Sequence, residues 1–167
     1  YNIALSDTCS KEIFNINSSI DTSSLIDTDI SLVPDSYKSN QKVKEKRIVD
    51  TLTLDQLALN IGIKKINILK LDIQGGELKV IKGAKKLLEN NQIDLIYTES
   101  YFLPFYKEMD LFGDISSFLY SFDYKFHGIY NEVNSGFTGR LQWCDAIFVS
   151  PKLSNRSKDL LIQSLRS

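Results

Sequence analysis

Residues 66–99 read INILKLDIQGGELKVIKGAKKLLENNQIDLIYTE, and this stretch decides the fold of the chain. Ile66–Leu71 is almost continuously apolar, which predicts a strand covered on both faces, as in a parallel sheet. A turn at Gln74–Gly76 leads into a helix predicted over Glu77–Asn90, where apolar residues recur at helical spacing. Ile93–Thr98 is the next buried strand. The stretch therefore predicts a strand–helix–strand unit of an α/β fold.

The flanking segments extend this pattern. Thr53 and Gln56 match a capping box, which predicts the start of a helix, and Gly62 is expected to end that helix. Leu111–Phe122 has the apolar spacing of a further amphipathic helix. Alternating strands and helices predict an α/β fold with a mainly parallel sheet.

The C-terminal part of the sequence predicts a hairpin. The connection between the strands predicted at Tyr124–Tyr130 and Trp143–Val149 leaves no room for a crossover helix, so we expect these strands to pair antiparallel. A short terminal helix is predicted at Ser157–Leu165. The 167 residues are expected to form one domain, with residues 1–150 as its core and residues 151–167 as a C-terminal helical segment.

The composition is that of an ordinary globular domain. Hydrophobic residues make up 43% and charged residues 25%, which excludes collagen-like and disordered classes. No apolar run approaches the roughly 20 residues of a membrane span. The net charge of -1 gives no indication of nucleic acid as a partner. Two cysteines, Cys9 and Cys144, fit a reducing compartment and predict a cytoplasmic location, and the sequence leaves a single bridge between them open.

Three carboxylates are expected at one edge of the predicted sheet. Asp72 follows the first buried strand, Glu77 opens the next helix, and Glu99 ends the next strand. In an open α/β sheet, ligands bind beyond the carboxyl ends of the strands, so these residues are candidate catalytic groups. Three converging carboxylates repel one another. A metal, a cationic ligand group or a raised pKa must therefore offset the repulsion.

Each carboxylate also has a purely structural interpretation. Glu77 can complement a helix dipole, Asp72 can form a turn, and Glu99 can be a solvated strand end. His127, the only histidine, is expected in mid-strand, where packing is a more ordinary role than proton transfer. Cys144 is expected to be a small core residue.

Several motifs together resemble the FkbM family of S-adenosylmethionine-dependent methyltransferases. The family pattern has a Thr-Leu-Asp helix start, a Lys-x-Asp-x-Glu/Gln-Gly-x-Glu loop, a Lys-Gly-Ala helix and a strand that ends in Glu. The matching segments are Thr53-Leu54-Asp55, Lys70-Leu71-Asp72-Ile73-Gln74-Gly75-Gly76-Glu77, Lys82-Gly83-Ala84 and Ile96-Tyr97-Thr98-Glu99. Asn2-Ile3-Ala4-Leu5-Ser6-Asp7 also looks like a strand of this family, and the resemblance extends over most of residues 1–150.

The resemblance implies a Rossmann-like class I methyltransferase sheet and S-adenosylmethionine as cofactor. It implies a hydroxyl acceptor on a sugar, glycolipid, polysaccharide or polyketide, bound beside Asp72, Glu77 and Glu99. Ser6 and Asp7 would lie near the adenine of the cofactor. A divalent metal at the carboxylates is possible but is not implied. The oligomeric state is left open.

The family's glycine-rich loop and its ribose-binding acid do not occur in this sequence. The N-terminal strands of the sheet are therefore expected to be missing, with the chain as the C-terminal two thirds of the domain. The start at Tyr1 and the single methionine, Met109, agree with that expectation. On this interpretation the 167 residues are inactive alone.

Two other functions compete with the methyltransferase. The first is a degenerate half-domain that acts as a binding or assembly module without catalysis. The second is a glycosyltransferase-like enzyme, for which Asp27-Thr28-Asp29 supplies an Asp-x-Asp pair. That pair lies in a polar segment rather than after a buried strand, so the leading hypothesis remains an O-methyltransferase.

Overall fold

A computed structural model describes residues 1–136 and 138–156 of the chain. The strands are β1 (Ala4–Leu5), β2 (Lys11–Asn17), β3 (Val43–Leu52), β4 (Ile66–Leu71), β5 (Ile93–Tyr101), β6 (Lys125–Asn134) and β7 (Leu141–Val149). The helices are α1 (Asp35–Lys38), α2 (Leu54–Ile61), α3 (Glu77–Lys82), α4 (Lys85–Glu89) and α5 (Phe112–Tyr120), with a 3-10 turn at Ile20–Thr22. Residues 151–156 are also helical. The helix predicted at Ser157–Leu165 lies outside the described residues.

The strands form two sheets. In the first, β3 lies between β1 and β2, parallel to β1 and antiparallel to β2. The second has the order β4-β5-β7-β6, with β4 and β5 parallel and the other two pairs antiparallel. The predicted α/β class and the antiparallel terminal hairpin are confirmed.

The expectation of a mainly parallel sheet is wrong for the described residues. Only two of the five strand pairs there, β1–β3 and β4–β5, are parallel. The difference arises because β3 runs back along β2 after the segment of residues 18–42, and β7 enters between β5 and β6. Antiparallel neighbours need no crossover helix between the two strands, unlike parallel ones.

The four-stranded sheet has one well-covered face. Leu69, Ile96 and Phe148 point to this face and share a buried cluster with residues of α2, α3, α4 and α5. On the opposite face, Ile68 is 65% exposed. The prediction that Ile66–Leu71 is covered on both faces is therefore wrong, because in the described residues the helices α2 to α5 pack on the side of the sheet opposite to Ile68.

The predicted helix Glu77–Asn90 is interrupted, and two contacts explain the break. A Cβ atom at Gly83 would lie 2.3 Å from the carbonyl oxygen of Ser6, so the chain at Gly83 packs directly on the backbone after β1. The Asp55 carboxylate accepts the backbone N–H groups of Lys86 and Leu87 at 2.8 and 3.0 Å. This carboxylate caps α4, because the first N–H groups of a helix have no partner within it.

At the start of α2, one of the two hydrogen bonds of the predicted capping box is present. The Thr53 hydroxyl accepts the backbone N–H of Gln56 at 3.1 Å, as an N-cap should. The Gln56 side chain does not complete the capping box, because it donates to Asn60 at 2.7 Å. Gly62 ends the helix with φ 73°, which confirms its predicted role.

A second hydrophobic cluster covers one end of the four-stranded sheet. It joins Ile26 and Val33, which precede β3, to Tyr101, Phe105 and Tyr106 at the end of β5 and beyond. The only tryptophan, Trp143, packs against this cluster. Its ring centre lies 5.2 Å from that of Phe105, 5.5 Å from that of Tyr37 and 6.1 Å from that of Tyr101.

No helix in the described part of the chain is long and apolar enough to cross a membrane.

Candidate functional site

The loop between β4 and α3 shapes the candidate site. Gln74 and Gly75 both adopt left-handed backbone conformations, with φ 61° and 97°. A Cβ atom at Gly75 would lie 2.9 Å from the Tyr106 ring, so a glycine is required for the close approach of that ring as well as for the φ angle. The loop turns the chain from the end of β4 into α3 within five residues, Asp72 to Gly76.

Glu77 lies beneath this loop. Its side chain is 3% exposed, and its Oε1 accepts the backbone N–H of Ile73 at 3.0 Å. Burial raises the pKa of Glu77 to about 7, although backbone N–H groups of Ile73, Glu77 and Gly75 lower it and the charge of Asp72 raises it further. In this geometry the carboxyl group organises the loop from within.

Glu99 lies beside the loop on the partly covered face of the sheet. Its Oε2 accepts the Tyr101 hydroxyl at 2.7 Å and the Gln74 side-chain amide at 3.1 Å. Burial raises the pKa of Glu99 to about 7; the hydrogen bond from Tyr101 lowers it, and the acidic neighbours Glu77, Asp72 and Asp145 raise it. Oε1 of Glu99 has no hydrogen-bond partner in the described residues.

Asp72 is the exposed member of the group. Its Oδ2 pairs with the Lys70 ammonium at 2.8 Å, and its Oδ1 accepts the Gln74 amide at 3.2 Å. Asp72 and Glu99 therefore share one donor, the Nε2 of Gln74. The structure thus brings these two predicted carboxylates together around a single amide.

The expected repulsion is offset by hydrogen bonds and by the raised pKa values of two of the carboxyl groups. Lys70 pairs with Asp72, Gln74 bonds to two carboxylates, and the pKa values of Glu77 and Glu99 are both raised. No group of three or more His, Cys, Asp or Glu residues in the described ranges is arranged to hold a metal ion.

Four residues of this site were not predicted as functional: Gln74, Tyr101, Tyr106 and Gln41. Side chains alternate between the two faces of a strand, so Glu99 and Tyr101 lie on the same face of β5. The sequence pattern alone therefore predicts that Tyr101 lies beside Glu99. Tyr106 and Gln41 come from distant segments. The Tyr106 hydroxyl donates to the Gln74 Oε1 at 2.7 Å and accepts from the Gln41 amide at 3.3 Å, and no local pattern predicts that contact.

A second polar group lies across the same sheet face. Asp145 is the register partner of Glu99 on β7 and accepts the Tyr97 hydroxyl. Asn131 donates to Asp145 at 2.6 Å from a left-handed position, φ 50°, where the register of β6 against β7 shifts. Such bulges redirect side chains.

The structure places Ser6 and Asp7 away from the carboxylates. Ser6 is fully buried, donates to Asp7 at 3.3 Å, and contacts neither Asp72 nor Glu99 through a hydrogen bond in the described residues. A groove of about 950 Å³ runs between residues 1–5 and residues 69–73, but neither Ser6 nor Asp7 lines it. Their assignment to the adenine side stays a prediction.

The other candidate residues, His127, Cys144, Asp27 and Asp29, lie outside the carboxylate site. His127 is exposed on β6. Cys144 is buried on the helix-covered face, and burial raises its pKa to about 11. Asp27 accepts the Asn15 amide and pairs with Lys46, and Asp29 accepts the backbone N–H and the hydroxyl of Ser31 in a local turn.

Comparison with known families favours the methyltransferase family over a glycosyltransferase-like enzyme. A family model for the methyltransferase FkbM domain matches residues 1–126. The chain belongs to the methyltransferase FkbM domain family. The FkbM match contains Asp72, Glu77 and Glu99 and ends in β6, so Asp145 lies beyond it. It covers the N-terminal part of this chain and does not confirm the expected placement as the C-terminal two thirds of the domain. Curated proteins and solved structures give no match.

The described residues fit the acceptor side of an FkbM methyltransferase site better than its cofactor side. The loop after β4 supplies carboxylates and an amide close together, which suits a hydroxyl group. The wall of the groove formed by Ile3, Ala4 and Leu5 is apolar. Arg47, Asp50 and Lys70 add charged side chains to the same groove.

Proposed function

We propose that this protein is an S-adenosylmethionine-dependent O-methyltransferase with a Rossmann-like class I fold. Its acceptor would be a hydroxyl group of a sugar, glycolipid, polysaccharide or polyketide. Family membership supports the methyltransferase assignment. The hydroxyl acceptor rests on one observation: Glu99 has one oxygen held by Tyr101 and Gln74, one oxygen without a partner in the described residues, and a pKa of about 7. A general base works best with a pKa near the working pH.

The two carboxylates would have different roles. Asp72 is already paired with Lys70, so we assign it to orienting the acceptor hydroxyl rather than to removing its proton. The free Oε1 of Glu99 would accept that proton as the oxygen becomes nucleophilic. Glu77 would hold the loop that positions both groups, since its carboxyl group bonds to the loop backbone. Positioning of this kind supplies much of the rate in a displacement reaction.

Substitution of the proposed base tests this function. Methyl transfer from radiolabelled S-adenosylmethionine is measured in the full-length protein on a panel of polyhydroxylated acceptors. Glu99→Gln keeps the size of the side chain and removes the proton acceptor, so we expect kcat to fall by about 10²–10⁴-fold. The matched control is Glu89→Gln on α4, which removes a carboxylate ion-paired with Lys85. A rate within about threefold of the wild-type rate for Glu99→Gln would contradict the proposal, because that is under 1 kcal/mol of barrier.

A non-catalytic binding module is the second candidate. The apolar groove wall at Ile3, Ala4 and Leu5 favours it, because an exposed apolar surface in a groove suits contact with a binding partner. Calorimetric titration of the full-length protein with S-adenosylmethionine separates the two. Saturable binding supports the enzyme, and absence of binding at millimolar cofactor supports the module.

A further inference from the structure

The backbone at Gln74 is unusual for its residue type. With φ 61° it occupies a left-handed region that residues other than glycine rarely adopt. Its carbonyl oxygen accepts the Ser24 hydroxyl at 2.8 Å, which holds this peptide group in place. A strained position persists when its surroundings over-determine it, and such positions cluster at functional sites.

The orientation of the Gln74 amide is also fixed. Its Oε1 accepts the Tyr106 hydroxyl at 2.7 Å, and Tyr106 is 1% exposed. The hydroxyl of Tyr106 accepts from Gln41 at 3.3 Å, so its own proton is directed to Gln74. With Oε1 held in this way, the two N–H bonds of Nε2 point to Asp72 and Glu99. A reversed amide would present an oxygen to two carboxylates and lose both bonds.

We propose that Gln74 is a positioning residue of the acceptor site. Its amide, oriented by Tyr106 and Gln41, holds Asp72 and Glu99 side by side and leaves the second oxygen of Glu99 free for the acceptor. The effect of Gln74 on catalysis rests on the proposed function. The hydrogen-bond arrangement itself belongs to the protein without any ligand.

The charges around Glu99 show why a neutral donor is needed there. Asp72 reaches it from the loop, Glu77 from α3 and Asp145 from β7, and all three are acidic. Tyr101 donates from β5 itself. Lys70, the nearby ammonium, is paired with Asp72. The Gln74 amide is therefore the one side-chain donor in the described residues that bridges two of these carboxylates.

Titration of Glu99 tests the role of Gln74 without an acceptor. Full-length protein is labelled with ¹³C at the glutamate side-chain carboxyl carbon, and the Glu99 signal is identified by its loss in Glu99→Gln. Gln74→Gly removes the amide and suits the left-handed backbone. Because a hydrogen bond to a carboxylate favours its charged form, we expect the Glu99 midpoint to rise by about half to one pH unit. Tyr106→Phe removes the hydroxyl that orients the Gln74 amide. It should also raise the Glu99 midpoint, by less than Gln74→Gly does.

The control is Tyr124→Phe, which removes a buried hydroxyl hydrogen bond to the Ile93 carbonyl at a remote place in the same sheet. The proposal is overturned if the Glu99 midpoint is unchanged in both Gln74→Gly and Tyr106→Phe, or if Tyr124→Phe shifts it equally. The methyl-transfer assay is read separately. If the Glu99 midpoint shifts but the protein methylates no acceptor, Gln74 still positions the carboxylates, and only the proposed methyltransferase function is contradicted.

Discussion

At the scale of single residues, two carboxyl groups on either side of the β4–α3 loop have raised pKa values. Glu77 and Glu99 both have pKa values raised from 4.5 to about 7, chiefly by burial. Other acidic groups have lowered pKa values. The hydrogen bond from Lys65, for example, lowers the pKa of Asp94 below its usual value of 3.8. The two sets therefore influence stability in separate pH ranges.

The sign of the effect of Glu77 follows from proton linkage. Between about pH 4.5 and pH 7 the folded protein keeps a proton on Glu77 that the unfolded chain has lost, so the free energy of unfolding falls as the pH rises. Each unit of difference between the folded and unfolded pKa changes the free energy of unfolding by about 1.4 kcal/mol. Glu77→Gln keeps an acceptor for the Ile73 N–H and cannot ionise. We expect its stability to be flatter over this range in urea unfolding at several pH values.

The matching control for that measurement is Glu89→Gln, whose carboxylate lies at the surface of α4. Its pH profile should follow that of the wild-type protein. An equally steep fall in Glu77→Gln and wild type between pH 5 and pH 7, roughly the range where the two states differ in protonation, would show that Glu77 is ionised in the folded state.

At the scale of elements, the break between α3 and α4 depends on a glycine. A Cβ atom on Gly83 meets backbone, the carbonyl oxygen of Ser6 at 2.3 Å, and backbone cannot rotate away as a side chain can. Gly83→Ala should destabilise the protein by about 1–3 kcal/mol, the usual range for overpacking. Chemical denaturation measures this as a lower midpoint with an unchanged slope.

Gly113→Ala supplies the comparison, because Gly113 lies within a helix, α5, and a Cβ atom there meets nothing within 4 Å. That change should be neutral or stabilising by about 0.4–1 kcal/mol. If Gly83→Ala behaved like Gly113→Ala, the contact between the helix break and Ser6 would not limit stability.

The elements predictable from the sequence were those with local causes. The start of α2 at Thr53, its end at Gly62 and the terminal β6–β7 hairpin follow from capping chemistry and connection length. The interruption at Gly83 did not, because Ser6 and Asp55 lie far away in the sequence. The same holds at the site: strand ends predicted Asp72 and Glu99, whereas the amide of Gln74 is oriented by Tyr106 and Gln41, which only the tertiary fold brings there.

At the scale of the whole molecule, the open edge of β4 stands out. Within residues 1–136 and 138–156, β4 pairs with β5 on one side only, and Ile68 is 65% exposed on its surface. Unpaired edges with apolar side chains promote association of sheets between molecules. Ile68→Lys should lower self-association of the protein, seen as a smaller mass at high concentration in light scattering. The same mass for Ile68→Lys and wild type at every concentration would exclude this edge as the contact.

The position of Trp143 has a spectroscopic consequence. The only tryptophan packs against Tyr101, whose hydroxyl bonds to Glu99, and against Tyr37 from the segment that precedes β3. Its fluorescence is therefore an intrinsic reporter that needs no added dye. An acceptor that displaces Tyr101 from Glu99 should change the emission intensity, whereas melting of the segment around Tyr37 should shift the emission to longer wavelength as water reaches the indole. One optical signal thus separates occupancy of the carboxylate site from loosening of the chain that covers it.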